Sequence, residues 1–152
     1  MNKYTLSKNF LYELNRDRDT KKDDIAPKIS IVMPSYNQAQ FIERSILSIL
    51  NQDYSNIEFI IIDGGSTDGT IDIIKKYEKE ITLWISEKDQ GQSDALNKGF
   101  KYCTGEIYGW LNSDDIYLPD AFKNAASVLK KNLNKKIIFG DWLSLDVADN
   151  II

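Results

Sequence analysis

The sequence contains no histidine and a single cysteine, Cys103. Without histidine, serine–histidine and cysteine–histidine catalytic pairs are excluded, as is every metal site that needs an imidazole ligand. One cysteine forms neither an internal disulfide nor a cysteine-rich zinc cluster. Acid, base and ligand roles therefore fall mainly to carboxylates. A metal held by oxygens alone would be a hard cation such as Mg²⁺ or Mn²⁺.

A surplus of basic residues and long apolar runs are also missing. The chain has 19 Lys and Arg against 23 Asp and Glu, a net charge of −4, which argues against nucleic acid as a partner. No apolar run approaches the ~18 residues that cross a bilayer, and the first residues lack the apolar stretch of a signal peptide. We expect a cytoplasmic protein with no transmembrane segment in this chain, able to act at the inner face of a membrane.

The composition is that of one soluble globular domain, with 152 residues, 42% hydrophobic and 28% charged. Residues 3–16 carry a loose helical stripe of apolar side chains, and residues 15–24 are a charged run. We therefore interpret residues 1–27 as a peripheral N-terminal helix and a charged linker. The domain proper is predicted to start at Lys28.

From Lys28 onward, predicted strands and helices alternate. The predicted strands are KISIVMP, IEFIII, ITLWI, EIYGWL and KIIFG, with helices around residues 41–50, 73–77, 95–100 and 122–133. Strands joined by single-helix crossovers predict an α/β fold with a mainly parallel central sheet and helices on both faces. Ligands of such sheets bind outside the carboxyl ends of the strands.

Each of the first four predicted strands is followed by a polar segment. These segments are PSYN (34–37), DGGSTDGT (63–70), EKDQGQSD (87–94) and NSDD (112–115). Because the carboxyl ends of parallel strands lie at one edge of the sheet, the four segments predict a polar crevice. They contain neither the dinucleotide-binding glycine pattern nor the P-loop pattern.

The first three segments also have purely structural interpretations. PSYN suits a strand end and a turn, although Tyr36 could contact a planar ring. The glycines of DGGSTDGT suit a tight turn into a helix, although Asp63 could accept hydrogen bonds from a nucleotide base. In GQSDALNKG, Ser93 or Asp94 could cap a helix, and Gly99 could allow close helix packing.

The NSDD segment favours a functional interpretation. Asp114 and Asp115 repel each other, and the alternative is that they cap the helix that follows Pro119. A divalent cation that bridges Asp114 and a diphosphate would relieve the repulsion and bind a substrate at the same time.

Taken together, the motifs resemble those of the family 2 nucleotide-sugar glycosyltransferases with a GT-A fold. The resemblance runs from about Lys28 to Asp141 through IVMPSYNQAQFIERSILSILNQDY, FIIIDGGSTDGT, DQGQSDALNKGF and GEIYGWLNSDD. It implies a Rossmann-like sandwich that binds a nucleotide-diphosphate sugar, most commonly UDP-linked. It also implies inverting, metal-assisted transfer to a hydroxyl of a glycan, lipid-linked or other acceptor, with Mn²⁺ or Mg²⁺, as in polysaccharide biosynthesis.

The resemblance also assigns site residues. Asp114, in the position of the family's D-x-D motif, is the implied metal ligand. The residues implied to bind the donor are Pro34, Ser35, Tyr36, Asn37, Asp63, Ser66, Gly91, Gln92, Asp94, Asn97, Asn112, Ser113 and Asp115. Among them, Asp63 is expected to hydrogen-bond the base, and residues 91–97 to flank the nucleotide and pyrophosphate.

The sequence departs from the family pattern in three ways. Asn112 replaces the usual first aspartate of D-x-D, so we expect weaker metal dependence. Leu96 stands where an arginine often precedes the asparagine matched by Asn97. The chain stops at Ile152, so residues 28–152 are predicted to be the donor-binding half of a GT-A domain, truncated before the acceptor half, with the catalytic base beyond Ile152.

Two alternatives are considered. A haloacid-dehalogenase-like phosphatase needs a nucleophilic aspartate where Asn112 stands, which argues against it. A non-catalytic nucleotide-sugar-binding module, or an inactive fragment of such an enzyme, stays open. Hydrolysis or transfer of a donor sugar would distinguish these possibilities.

Overall fold

A computed structural model describes residues 26–134 and 136–146, and strands and helices alternate in it. The elements are β1 (Ile29–Ser35), α1 (Ile42–Leu50), β2 (Ile57–Asp63), α2 (Thr70–Lys76), β3 (Leu83–Ser86), α3 (Gln92–Phe100), β4 (Ile107–Trp110) and α4 (Ala121–Lys131). The predicted N-terminal helix and most of the charged linker lie outside the described residues. Within the described ranges, no helix has the length and apolarity needed to cross a membrane.

The four strands form one parallel sheet in the order β3-β2-β1-β4. Ile29 at the start of β1 lies opposite both Ile57 of β2 and Ile107 of β4. Successive strands are therefore added on one side of β1 up to β3, and β4 is then added on the other side. This reversal places a topological switch point between the carboxyl ends of β1 and β4, where sheets of this kind bind ligands.

Both faces of the sheet are covered by helices. On one face, Ile31, Met33 and Phe59 pack with apolar residues of α1, α2 and α4, all largely buried. On the other face, Val32, Ile60 and Ile62 pack against α3. A Cβ at Gly99 of α3 would clash with Val32, so this glycine allows the helix to lie close to the sheet. The predicted α/β layers and the close packing at Gly99 are confirmed.

Strand β1 extends through Pro34 to Ser35, one residue further than predicted. The Val32 carbonyl accepts a hydrogen bond from the N–H of Leu111, so Pro34, two residues on, faces the same side. Strand β4 ends at Trp110, so no strand lies opposite the backbone nitrogen of Pro34. The N–H group that proline lacks is therefore not needed for pairing. The proline is therefore tolerated in a central strand.

Two local predictions are wrong. Residues 136–140 form no strand, and Ile137 and Phe139 are 82% and 91% exposed. A short apolar run forms a strand only where a neighbour pairs with it and a surface covers it, and among the described residues KIIFG has neither. In addition, neither Ser93 nor Asp94 caps α3, because the N-cap is Gly91, with φ of 107°.

Candidate functional site

The candidate site lies at the switch point between β1 and β4. On the β1 side, Pro34 and Ser35 are buried, and the chain then emerges at Tyr36, which is 61% exposed. Asn37 follows in the left-handed conformation, with φ of 52°, which asparagine tolerates better than most residues. The hydroxyl of Ser35 is buried and has no hydrogen-bond partner among the described residues.

At the end of β2, Asp63 organises the turn. It is fully buried, and its carboxylate accepts hydrogen bonds from the N–H groups of Gly65 and Ser66 and from the hydroxyls of Ser66 and Ser86. Three of these bonds fall on Oδ2 and one on Oδ1, so the turn engages both oxygens of the carboxylate. The observed role of Asp63 is to order this turn, and the base contact predicted for it stays a prediction.

The turn after β2 is tied to the turn after β1. Ser66 accepts a hydrogen bond from the N–H of Asn37 at 2.8 Å, and Asn37 Oδ1 accepts one from the N–H of Thr67 at 2.9 Å. The N–H of Gln38 donates to the hydroxyl of Thr70, and the N–H of Ala39 donates to the carboxylate of Asp68. Ser66 is only 6% exposed, so its observed role is to hold the two turns together.

The start of α3 is the third part of the site. Asp89 Oδ1 accepts from the N–H of Gly91 at 2.9 Å, and Asp94 Oδ2 accepts from the N–H of Gln90 at 3.1 Å. The exposed side chain of Gln92 donates to Asn112 Oδ1 at 2.5 Å, which connects α3 to the end of β4. Asn97 lies farther along α3 with an exposed side chain, and its predicted contact with the donor stays a prediction.

After β4, the side chains of the NSDD segment differ in their surroundings. Asn112 Nδ2 donates to Asp115 Oδ2 at 3.0 Å. Ser113 is 4% exposed, whereas Asp114 is exposed and its carboxylate has no hydrogen bond or ion pair in the part of the chain described. Helix α4 begins only at Ala121, after an N-cap at Asp120. The interpretation of NSDD as a helix cap is therefore wrong.

Helix α1 and the residues just after it hold this segment in place through three polar side chains that the sequence analysis did not single out. Ser45 donates to the carbonyl of Ser113 at 3.0 Å, and Ser48 accepts from the N–H of Tyr117 at 3.1 Å. Gln52 donates to the carbonyl of Leu118 at 3.0 Å. Ser45 and Ser48 lie on a buried face of α1, and Gln52 is buried just beyond the end of the helix. Buried hydroxyls and amides at these positions need partners from another segment.

Tyr117 is a second anchor that the sequence analysis missed. Its hydroxyl donates to the carbonyl of Trp110 at 3.0 Å. Burial, with a smaller contribution from the nearby Asp115 carboxylate, raises the pKa of Tyr117 to about 12. The phenol therefore stays protonated and keeps this hydrogen bond at physiological pH.

The donor set after β4 fits a hard cation shared with a ligand. Over residues 26–134 and 136–146, no three histidine, cysteine or carboxylate side chains form a metal-binding cluster. However, Mg²⁺ typically takes one or two carboxylates and completes its coordination with waters and substrate phosphates. The exposed carboxylate of Asp114, next to Asp115, meets that requirement.

Comparisons with known sequences all point to the same protein family. The family model described as Glycosyl transferase family 2 matches residues 30–141. An uncharacterised glycosyltransferase of Rickettsia typhi is 37% identical over 118 residues, which cover 78% of this chain and 37% of that protein. The chondroitin synthase of Escherichia coli is 33% identical over 128 residues, 83% of this chain and 19% of that protein. The chain thus spans well under two thirds of these relatives.

Solved structures show the same fold. TarS 1-349 of S. aureus, in complex with UDP-GlcNAc, matches with a TM-score of 0.65 and 27% identity over 70% of this chain and 32% of that one. A mannosyltransferase from Pyrobaculum calidifontis, in complex with GDP-Man and Mn²⁺, matches with a TM-score of 0.60 and 27% identity over 80% of this chain and 37% of that one. The predicted GT-A fold is confirmed, and the chain belongs to glycosyl transferase family 2.

Proposed function

We propose that this chain binds the nucleotide-diphosphate-sugar donor of a glycosyl-transfer reaction. The observation that carries the proposal is that the exposed Tyr36 and the Asn112–Asp115 turn follow two neighbouring strands, β1 and β4, at the switch point between them. A planar base and a diphosphate need these two kinds of surface, an aromatic face and a carboxylate that binds a cation. The UDP-GlcNAc in the TarS complex supports a UDP-linked donor.

The β1 side of the crevice is assigned to the nucleoside. The exposed ring of Tyr36 offers a face on which a base stacks. The unpaired hydroxyl of Ser35 lies directly before it and would gain from a hydrogen bond, because a buried polar atom without a partner costs about 1–3 kcal/mol. The Ser66 hydroxyl, which accepts the Asn37 N–H, and Asn37 Oδ1, which accepts the Thr67 N–H, keep this turn in position.

The β4 side is assigned to the diphosphate and the sugar. Asp114 is the proposed ligand of Mg²⁺ or Mn²⁺, and Asp115 faces the donor beside it. A cation bound there would stabilise the negative charge that develops on the leaving diphosphate. The Mn²⁺ in the mannosyltransferase complex supports this assignment. The hydrogen bonds from α1 keep the turn in place while the charge builds up.

The proposal extends to the acceptor that would receive the sugar. An acceptor hydroxyl, on a glycan, a lipid-linked molecule or another carrier, would attack the anomeric carbon opposite the diphosphate and invert it. A carboxylate would remove the hydroxyl proton as general base. We place that base outside residues 28–152, which we propose to be the donor-binding part of the domain.

A calorimetric titration tests the donor site. UDP, dTDP and GDP are each added with Mn²⁺ and with EDTA to the wild type, Asp114→Asn and Asp53→Asn. The control residue Asp53 is exposed, pairs with Lys123 on the surface and follows α1 at the far end of the sheet. We expect one preferred nucleotide, with binding in Mn²⁺ weakened about tenfold or more by Asp114→Asn and unchanged by Asp53→Asn.

Two outcomes would change the proposal. A folded wild type that binds none of the nucleotides would refute the donor site. Hydrolysis or transfer of a donor sugar by this chain would exclude the non-catalytic binding module, whereas binding without turnover would leave that module open, because the proposed general base lies outside residues 28–152.

A further inference from the structure

Gln92 and Asn112, 20 residues apart in the sequence, meet through their side-chain amides. Gln92 Nε2 donates to Asn112 Oδ1 at 2.5 Å, and Asn112 Nδ2 donates to Asp115 Oδ2 at 3.0 Å. The three side chains form a hydrogen-bonded row from the start of α3 to the turn after β4. We refer to Gln92, Asn112 and Asp115 as the amide row.

The direction of the amide row follows from the chemistry of its last member. An ionised aspartate only accepts hydrogen bonds, so Asn112 must turn its NH₂ group towards Asp115. Its carbonyl oxygen then faces Gln92, which must present its own NH₂ group. Reversal of either amide would bring two oxygens together. Asn112 is therefore held in one orientation from both sides, and it links the Asp115 carboxylate to Gln92 at the start of α3.

An aspartate at position 112 would break this arrangement. It would accept the hydrogen bond from Gln92 but would have no proton to donate to Asp115. Its charge would also stand next to Asp114 and Asp115, and the three carboxylates would repel one another unless a cation lay between them. The neutral amide of Asn112 makes Asp115 a hydrogen-bond partner instead.

We infer that Gln92 is a positioning residue that, through Asn112, holds the Asp115 carboxylate ready for the donor without a divalent cation. The inference rests on the proposed function. Asp115 Oδ2 is bonded to Asn112, whereas Oδ1 accepts no hydrogen bond in the described ranges. Oδ1 is the atom presented to a hydroxyl of the donor's ribose or sugar. The part of donor binding that depends on Asp115 therefore persists when the cation is removed.

The first test compares UDP-GlcNAc affinity in Mn²⁺ and in EDTA. Gln92→Met keeps the side-chain length but removes the donor, and Gln92→Glu replaces the donor with an acceptor that reverses Asn112. We expect affinity in EDTA to fall about tenfold for Gln92→Met and further for Gln92→Glu. Ser93→Glu adds the same charge at the neighbouring exposed position and controls for simple repulsion of the donor.

Asn112→Asp tests the second hydrogen bond of the row. For this variant we expect the ratio of UDP-GlcNAc affinity in Mn²⁺ to affinity in EDTA to be about tenfold larger than for the wild type. The reason is that, without the hydrogen bond from Asn112, only a cation can hold the carboxylates together. If Asn112→Asp and Gln92→Met keep wild-type affinities in both media, the positioning role is refuted.

A second measurement needs no nucleotide. In ¹H–¹⁵N spectra of the free protein, Gln92→Met should shift the side-chain NH₂ signals of Asn112 and leave distant backbone signals in place. Unchanged NH₂ signals would show that the row does not exist. If the signals shift but the wild type binds no nucleotide, the row is real and the proposed function, with the positioning role, is wrong.

Discussion

The hydroxyl of Ser66 accepts the backbone N–H of Asn37 at 2.8 Å, although the two residues are 29 positions apart. The same hydroxyl donates to the buried carboxylate of Asp63. The turn after β2 therefore holds the turn after β1 through one small side chain. In this way the fold fixes the backbone next to Tyr36 before any ligand arrives.

Ser66→Ala should destabilise the protein, because it leaves the Asn37 N–H and one Asp63 oxygen without a partner. We expect the free energy of unfolding in urea to fall by about 1–3 kcal/mol. Ser93→Ala, at an exposed position of α3, should change it by less than about 0.5 kcal/mol. Equal effects of the two substitutions would contradict the role given to Ser66.

Asp63→Asn separates a structural role from base recognition. The asparagine would present an NH₂ group to a turn that offers only hydrogen-bond donors, so donor would face donor. We therefore expect the free energy of unfolding to fall by about 1–3 kcal/mol. The ratio of UDP to GDP affinity should stay as in the wild type. A changed ratio with unchanged stability would instead support the direct base contact predicted from the sequence.

Gly99→Ala should be unfavourable even though alanine is the better helix former. Its Cβ would overlap Val32, and the overpacking cost outweighs a gain in helix propensity of about 1 kcal/mol. We expect the free energy of unfolding to fall by about 1–2 kcal/mol. In a double-mutant cycle, Val32→Ala should relieve part of this loss, whereas strictly additive effects would argue against the contact.

The stability of the protein should fall in acid partly because of Glu58. Burial alone would raise the pKa of Glu58, but hydrogen bonds from Ser30 and Thr104 outweigh it and hold the pKa below the usual 4.5. A lowered pKa means that the ionised form stabilises the fold above pH 4.5. That contribution disappears as the pH falls through the folded-state pKa.

Glu58→Gln provides the measurement for this prediction. The free energy of unfolding of the wild type should exceed that of the variant at neutral pH, and the difference should shrink at about pH 3.5. A difference that stays constant or grows in acid would show that the carboxylate is not stabilised by these hydrogen bonds.

The sequence predicted most of the fold, because its signals are local. Apolar runs such as that of β2 identify buried strands, and the strand–helix alternation implies a parallel sheet. KIIFG shows the limit, since its apolar run has no neighbouring strand in the described part of the chain and Phe139 is mostly exposed. The start of α3 was misplaced because the positive φ of Gly91 depends on the loop around it.

The sequence predicted which strand ends form the site, but it did not predict which of their side chains contact one another. No spacing rule reveals that Gln92 reaches Asn112, since the strand order decides which turns are neighbours. Asp63 was predicted at the end of a strand, yet only coordinates reveal that four donors of its own turn and of β3 bond its carboxylate. The supporting roles of Ser45 and Ser48 were hidden within an apolar helical stripe.

The most direct test of the donor site is its location, by ¹H–¹⁵N spectra recorded while UDP is added. With Mg²⁺, we expect the largest shifts at Tyr36, Asn37 and residues 112–115, and none at Asp53. With Mn²⁺ in place of Mg²⁺, paramagnetic broadening should be strongest at Asp114. Shifts centred away from the β1/β4 switch point, or no shifts in a folded sample, would contradict the account.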